Sequence, residues 1–156
     1  MSANSICQKL QLAARDYLRA EVTDGGITLL GASSILAGIE TGSLPLPRVV
    51  CISKRATVED FYDGNWTADL TIRVVADAAD TDETAFHLLL GEVFSRFFIS
   101  PDALTVSLSN SSLEFTAFAV YPRSQEWDLL AGVNGNDSGW VAELVVTVKC
   151  CGSVVE

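Results

Sequence analysis

The sequence predicts a single α+β domain, residues 1–156, with two main helices packed on one face of a largely antiparallel β-sheet and with long hairpin loops. Two stretches place apolar residues three and four positions apart, which is typical of amphipathic helices. Two others, residues 64–75 and 138–149, alternate apolar and polar residues, which indicates strands. Both of these strands open with Trp and continue with Ala, an acid and Leu. A chain of 156 residues is long enough to bury one core.

The two predicted helices have clear ends. The first runs from Ser5 to about Val22 and stops at residues 24–26, Asp-Gly-Gly. The second begins at Asp80 or Thr81, where acids can cap the positive end of a helix dipole, and ends before Pro101. Because each helix has one apolar stripe, both are expected to lie on the same side of the sheet.

The strands are predicted around two long loops. Residues 48–53 form a short strand that pairs with the first Trp strand across a loop at 54–65. Residues 104–109 and 113–121 form a hairpin with a turn at 110–112. A loop at 122–139 then leads to the second Trp strand. The predicted core residues are Trp66, Leu70, Ile72, Phe86, Leu90, Phe94, Trp140, Leu144 and Val146.

Residues 27–47 have no clear period, because glycine and proline interrupt an otherwise apolar segment. We expect a long, partly structured connection, which either folds over its own core or serves an interface. Its longest weakly polar run, residues 27–39, is too short to span a bilayer. The N-terminus lacks the pattern of a secretory signal, so a cytoplasmic site of synthesis is expected.

Composition indicates contacts between protein chains. Hydrophobic residues make up 49% of the chain and charged residues only 19%, so some apolar surface is expected to meet another subunit. The formal net charge of −10 argues against a surface that grips nucleic acid by neutralising phosphates. The four cysteines lack the spacing of a zinc site, and reduced thiols are predicted.

No catalytic or metal-binding motif is evident. His87, the only histidine, lies beside a helical stripe, where a structural role is predicted. The segment 31–34, Gly-Ala-Ser-Ser, lacks the second glycine of a nucleophile elbow. The acids at 77–83 fit helix capping better than a cation loop. We therefore predict neither cofactor nor metal, and no enzymatic activity.

The order of segments resembles the tail-terminator or tail-completion (neck) proteins of long-tailed bacteriophages. The resemblance covers about residues 45–150 and rests on PRVVCIS, GNWTADLTIRVVAD, ETAFHLLLGEVFSRFF and GWVAELVVTV. It implies a non-enzymatic virion protein that is made in the host cytoplasm and forms a hexameric ring. Such a ring caps the tail tube and joins it to the head-completion or connector protein. DNA passes through the ring without specific binding, which an acidic channel would favour.

Two alternatives stay open at this point. One is another phage neck, tail-tube or baseplate subunit, and the other is a small-molecule binding domain or enzyme with a pocket between helices and sheet. If the chain forms the ring, the two long loops are expected to contact the tail tube and the head-side connector. The segment 29–39 or the valine-bearing sheet face is expected to supply one side of the contact between subunits. The candidate interface residues are Leu29, Leu30, Ile35, Leu36, Ile39, Tyr62, Trp127, Leu129, Leu130, Val141 and Val145.

Overall fold

Three α-helices and five strands are the main elements of the described residues. The computed structural model describes residues 5–38, 46–60, 64–130 and 139–152. The helices are α1 (Ile6–Thr23), α2 (Glu83–Phe94) and α3 (Pro101–Leu108), and the strands are β1 (Ile35–Ala37), β2 (Arg48–Asp60), β3 (Asn65–Asp77), β4 (Phe115–Leu130) and β5 (Gly139–Gly152).

The sheet has the order β1-β2-β3-β5-β4. Only the β1–β2 pair is parallel, so the sheet is largely antiparallel, as predicted. Strands β3 and β5 pair from Asn65 opposite Cys151 to Asp77 opposite Gly139, without a bulge. Both neighbouring pairs, β2–β3 and β4–β5, contain register shifts. The two Trp strands therefore form the regular centre of the sheet.

The core lies between the sheet and the helices. On β3 and β5 the alternate positions beginning at the two Trp residues face the helices, and most of them are fully buried. Helix α1 packs mainly on β2 and β1, and α3 packs on β4. This confirms the two-layer α+β class. Of the predicted core residues, the buried ones are Leu70, Ile72, Phe86, Leu90, Phe94, Leu144 and Val146, while Trp66 and Trp140 are half-buried at the margin of the core.

Both predicted main helices form, with side-chain caps at their first turns. The Ser5 hydroxyl accepts a hydrogen bond from the backbone N–H of Gln8, and α1 ends at Thr23 before the Asp-Gly-Gly segment. The Asp82 carboxylate accepts one from the backbone N–H of Ala85 at 2.7 Å, which starts α2. These caps satisfy donors that have no partner inside the helix.

The predicted strand at 104–109 is wrong, and so is the hairpin built on it, because α3 occupies Pro101–Leu108. Ser100 caps this helix, and proline fits its first position, where no amide donor is required. Leu104 and Leu108 lie one turn apart and are both buried, so the helical spacing outweighs the β-branched Thr105 and Val106 between them.

The predicted loops at 54–65 and 122–139 are largely wrong. Strand β2 continues to Asp60 and β4 continues to Leu130, because the inner strands offer them backbone partners along this whole length. Trp127, Leu129 and Leu130 therefore lie on a strand rather than in a loop. Residues 61–63 and 131–138, which join the paired strands, lie outside the described residues.

The aperiodic segment after α1 is partly structured, as predicted. It contains a 3-10 turn at Ala32–Ser34 and the short strand β1. The Arg19 guanidinium donates to the backbone carbonyl of Ile35 at 2.7 Å, and the Glu92 carboxylate accepts the backbone amides of Thr28 and Leu29. The segment is thus held by both main helices. Residues 39–45 lie outside the described part of the chain.

Candidate assembly surface

The sheet face that points away from the helices, called the open face below, carries a mixture of charged and apolar side chains. Arg73 on β3 and Glu143 on β5 are a cross-strand pair at its centre. The arginine Nη2 lies 2.9 Å from Glu143 Oε2, and its Nε donates to the same oxygen at 3.0 Å. This ion pair joins the two central strands on the side opposite the core.

Apolar side chains lie beneath the charged ones on the open face. Val50, Ile52 and Val75 are buried although no helix covers them in the described part of the chain. Val141 and Val145 are half-buried on β5. The open face therefore combines an apolar floor with charged rims, a composition that resembles protein interfaces more than a fully solvated sheet face.

Two shallow grooves flank the central ion pair. The one on the β2 side has a volume of about 350 Å3 and carries Lys54, Arg55 and Asp69 on its rim. The one on the β4 side has a volume of about 260 Å3 and carries Glu126 and Asp128. Cations therefore predominate on one side of the open face and carboxylates on the other.

The second half of β4, residues 122–130 and called the β4 arm below, extends beyond the region that α3 covers. Its side chains are mostly exposed, and those of Trp127, Leu129 and Leu130 are 41%, 47% and 44% exposed. Because β4 is the last strand of the sheet, its outer edge has no neighbouring strand among the described residues. An exposed edge with large apolar side chains is a common protein-binding element.

An aromatic cluster holds the β4 arm against α2. The Trp127 ring lies 5.8 Å from the ring of Trp140 and meets the His87 ring edge-on at 4.7 Å. Trp140 stacks on Phe86 at 5.7 Å and donates its indole N–H to the carbonyl of Thr81 at 2.7 Å. His87 thus contacts an aromatic ring at the surface, with the Glu83 carboxylate 3.8 Å away.

The structure brings together only some of the candidate interface residues. Leu30 and Ile35 are buried in the core of the chain itself, so they offer no side-chain surface to a partner. Leu29 is 50% exposed beside α2, where its backbone amide donates to the Glu92 carboxylate. Leu36 is half-buried and pairs with Val50, so it lies on the open face at the β1 edge of the sheet. The residues that share the β4 side of the sheet are Trp127, Leu129, Leu130 and Val141; Val145 lies on the open face, and Ile39 and Tyr62 lie outside the described residues.

Other large apolar side chains are exposed and are not among the predicted interface residues. Leu88 on α2 and Val106 on α3 are 62% and 75% exposed, and Phe98 between these helices is 63% exposed. The sequence does indicate that Leu88 is exposed, because this residue lies outside the three-and-four spacing of the buried stripe of α2. Lys54 and Arg55 were assigned to a loop, and only the strand register reveals that they share a groove with Arg73.

The described residues offer little for catalysis. They contain no group of three or more His, Cys, Asp or Glu side chains placed to hold a metal ion. Burial raises the pKa of the Cys51 and Cys150 thiols to about 12, so neither is a thiolate nucleophile near neutral pH. No helix among the described ranges is long and apolar enough to cross a membrane.

Comparison with known proteins identifies a similar fold. No protein-family model matches the chain, and no curated protein matches it. A chain in a solved structure described as "Virion of native gene transfer agent (GTA) particle" is similar, with a TM-score of 0.54 and 17% sequence identity. The similarity covers 92% of this chain and 95% of that chain. At this identity the comparison establishes a shared fold.

Proposed function

We propose that the chain is a non-enzymatic structural subunit of a phage-like particle. One observation carries the proposal: the fold is similar over 92% of its length to a chain of a gene transfer agent virion. The similarity also covers 95% of that chain, so it extends over nearly all of both sequences.

Within such a particle, the proposed role is that of a tail-terminator or tail-completion subunit, which forms a ring, hexameric by resemblance, between the tail tube and the head-side connector. The exposed β4 arm and the apolar floor of the open face supply surfaces for subunit contacts. A net charge of −10 would let DNA pass such a ring without being held. Other neck, tail-tube or baseplate positions are the competing assignments within the same class.

The test is the oligomeric state of the purified protein. Multi-angle light scattering across a concentration series, with negative-stain microscopy of each sample, is expected to detect closed rings that grow in number with concentration. A protein that stays monomeric at every concentration would count against a ring-forming subunit. Addition of candidate tail-tube and connector proteins to the preformed ring then distinguishes the terminator role, since a terminator binds the end of the tube and not its side.

A further inference from the structure

The basic residues of this acidic chain are distributed unevenly. Among the described residues, Lys54, Arg55 and Lys149 are the cations without any hydrogen bond or ion pair, and all three are exposed. All three belong to the open face, on β2 and β5. Arg48, Arg73 and Arg123 belong to the same face, so it holds six of the ten basic residues of the chain. Unpaired cations on an acidic protein mark a site for an anionic partner.

The end of the β4 arm, residues 126–128, has the opposite charge on the same face. Glu126 stands directly opposite Glu143 across the β4–β5 pair, and like charges in this position destabilise a sheet. Arg73 neutralises Glu143, but no described residue forms a hydrogen bond or ion pair with Glu126. Asp128 lies two residues further along the β4 arm and lines the same groove. A cation placed over Glu126 would relieve this repulsion.

We propose that the β4 arm of one copy docks on the β2 side of the open face of a second copy. Glu126 and Asp128 of the first copy then lie against Lys54 and Arg55 of the second. The two charge sets lie at opposite edges of the same face, so a different surface of each copy takes part in the contact. The copies are offset in this arrangement, so that each contact uses one set from each copy and the other set stays free for the next copy, as a ring requires. A two-fold face-to-face dimer would use both sets at once, and closed dimers in sedimentation velocity would overturn the offset arrangement. This inference rests on the proposed ring-forming function.

A second copy fits the groove better than DNA does. Asp69 and Glu143 line the β2-side groove together with its three cations, so the groove has mixed charge rather than the uniform positive charge that suits a phosphate backbone. Two copies that each carry a net charge of −10 repel each other at long range. Assembly therefore requires local complementarity, and these two sets provide it.

The experiment exchanges the charges. One variant carries Lys54→Glu and Arg55→Glu, a second carries Glu126→Lys and Asp128→Lys, and a third combines all four changes and restores the wild-type net charge. The control is Asp24→Lys with Asp80→Lys, two exposed carboxylates on the helical side of the molecule. Circular dichroism checks that each variant is folded, and sedimentation velocity measures self-association.

We expect each two-residue exchange on the open face to raise the dissociation constant of self-association about 100-fold or more, because it places like charges together at the contact. An equimolar mixture of these two variants is expected to associate again, and so is the four-residue variant. The control is expected to assemble like the wild type. If the exchanged variants assemble normally, or if neither the mixture nor the four-residue variant recovers association, the proposal is wrong.

Two further outcomes separate this inference from its alternatives. Rings that form normally in every variant would leave the ring-forming function intact and overturn only the docking mode. A wild-type protein that never associates would overturn both. Titration of a fluorescent DNA duplex with the wild type tests the other occupant: tight binding that is lost in the Lys54→Glu, Arg55→Glu variant would assign the cations to DNA and overturn docking between copies.

Discussion

The two long strand pairs of the sheet, β2–β3 and β5–β4, have similar inner strands and different outer strands. The inner strands β3 and β5 begin with a similar sequence and pair with each other in unbroken register. Outer strand β2 is polar and exposed beyond Ser53, whereas outer strand β4 carries large apolar residues to its last position. The centre of the sheet therefore specifies the fold, and the outer strands differentiate its surfaces.

The two Trp residues of the inner strands also have different surroundings, because the strands run in opposite directions. Because β3 and β5 are antiparallel, Trp66 and Trp140 lie at opposite ends of the sheet, near the ends of different hairpins. Trp140 finds Phe86 on α2 and Trp127 on β4, whereas no ring lies in stacking distance of Trp66 among the described residues. The same sequence pattern therefore places Trp140 in an aromatic cluster at one end of the sheet and Trp66 at the margin of the core, without a stacked ring, at the other end.

The largest loss of stability is expected from replacing a buried residue of β3 or β5, and it tests whether the two inner strands contribute equally to the core. Ile72 and Leu144 face each other across the β3–β5 pair and are 0% and 1% exposed. Replacement of either by Ala is expected to lower the free energy of unfolding by about 2–5 kcal/mol, because each change leaves a cavity in the same layer. Urea denaturation measures both. If only one of the two replacements lowered the free energy of unfolding, the two inner strands would not contribute equally.

The next effect distinguishes the two Trp residues. Trp140→Phe removes the hydrogen bond to the carbonyl of Thr81 and part of the stack on Phe86, so we expect a loss of about 1–3 kcal/mol. Trp66→Phe is the matched control and is expected to cost less than about 1.5 kcal/mol, because the replacement stays aromatic and breaks no described hydrogen bond. Equal losses in urea denaturation would contradict the asymmetry of the two ends.

A smaller effect concerns the contact between the hairpins on the open face. A double-mutant cycle with Arg73→Met and Glu143→Gln is expected to give a coupling free energy of about 0.2–1 kcal/mol, because both side chains are partly solvated. The coupling should decrease as salt is added. A coupling that is independent of salt would show that the pair acts through packing rather than charge.

The smallest expected loss of stability is absent at neutral pH and appears only at alkaline pH. Burial raises the pKa of Cys51 on β2 and Cys150 on β5 from an ordinary value of 9.0 to about 12. Above pH 9 the unfolded thiols lose protons that the folded ones retain, so stability falls as pH rises toward 12. Denaturation at a series of pH values is expected to show this decline, with a shallower slope for the Cys51→Ala, Cys150→Ala variant. If stability declined with pH as steeply in this variant as in the wild type, the decline would not come from the two buried thiols.

The sequence predicts those elements whose pattern is enforced by the core. Helices α1 and α2 and strands β3 and β5 each bury one face, so their apolar residues keep a regular period. The outer strands lack such a period, because residues 54–59 and 122–130 are paired on one side and largely exposed on both faces. Charged residues and Pro122 there indicate a loop, although both are also typical of edge strands.

Two errors have a local origin. Pro101 is predicted to follow the end of the second helix, yet it is the first residue of α3, which Ser100 caps. A helix of eight residues has too few turns for its period to be recognised in the sequence beside two β-branched residues. Leu30 and Ile35 were assigned to an interface because an apolar segment without a period does not reveal which side it buries. The aromatic cluster around Trp127 joins distant parts of the chain, and only the strand register reveals it.

The unbroken register of β3 and β5 also has a mechanical consequence. A force applied along the strands at opposite ends of the sheet would load the hydrogen bonds of this pair in shear, all at once, rather than one after another. The outer strands contain bulges that can yield locally, but the central pair has none. The central strand pair, about 40 Å long, is therefore expected to resist extension and to transmit tension from one end of the sheet to the other.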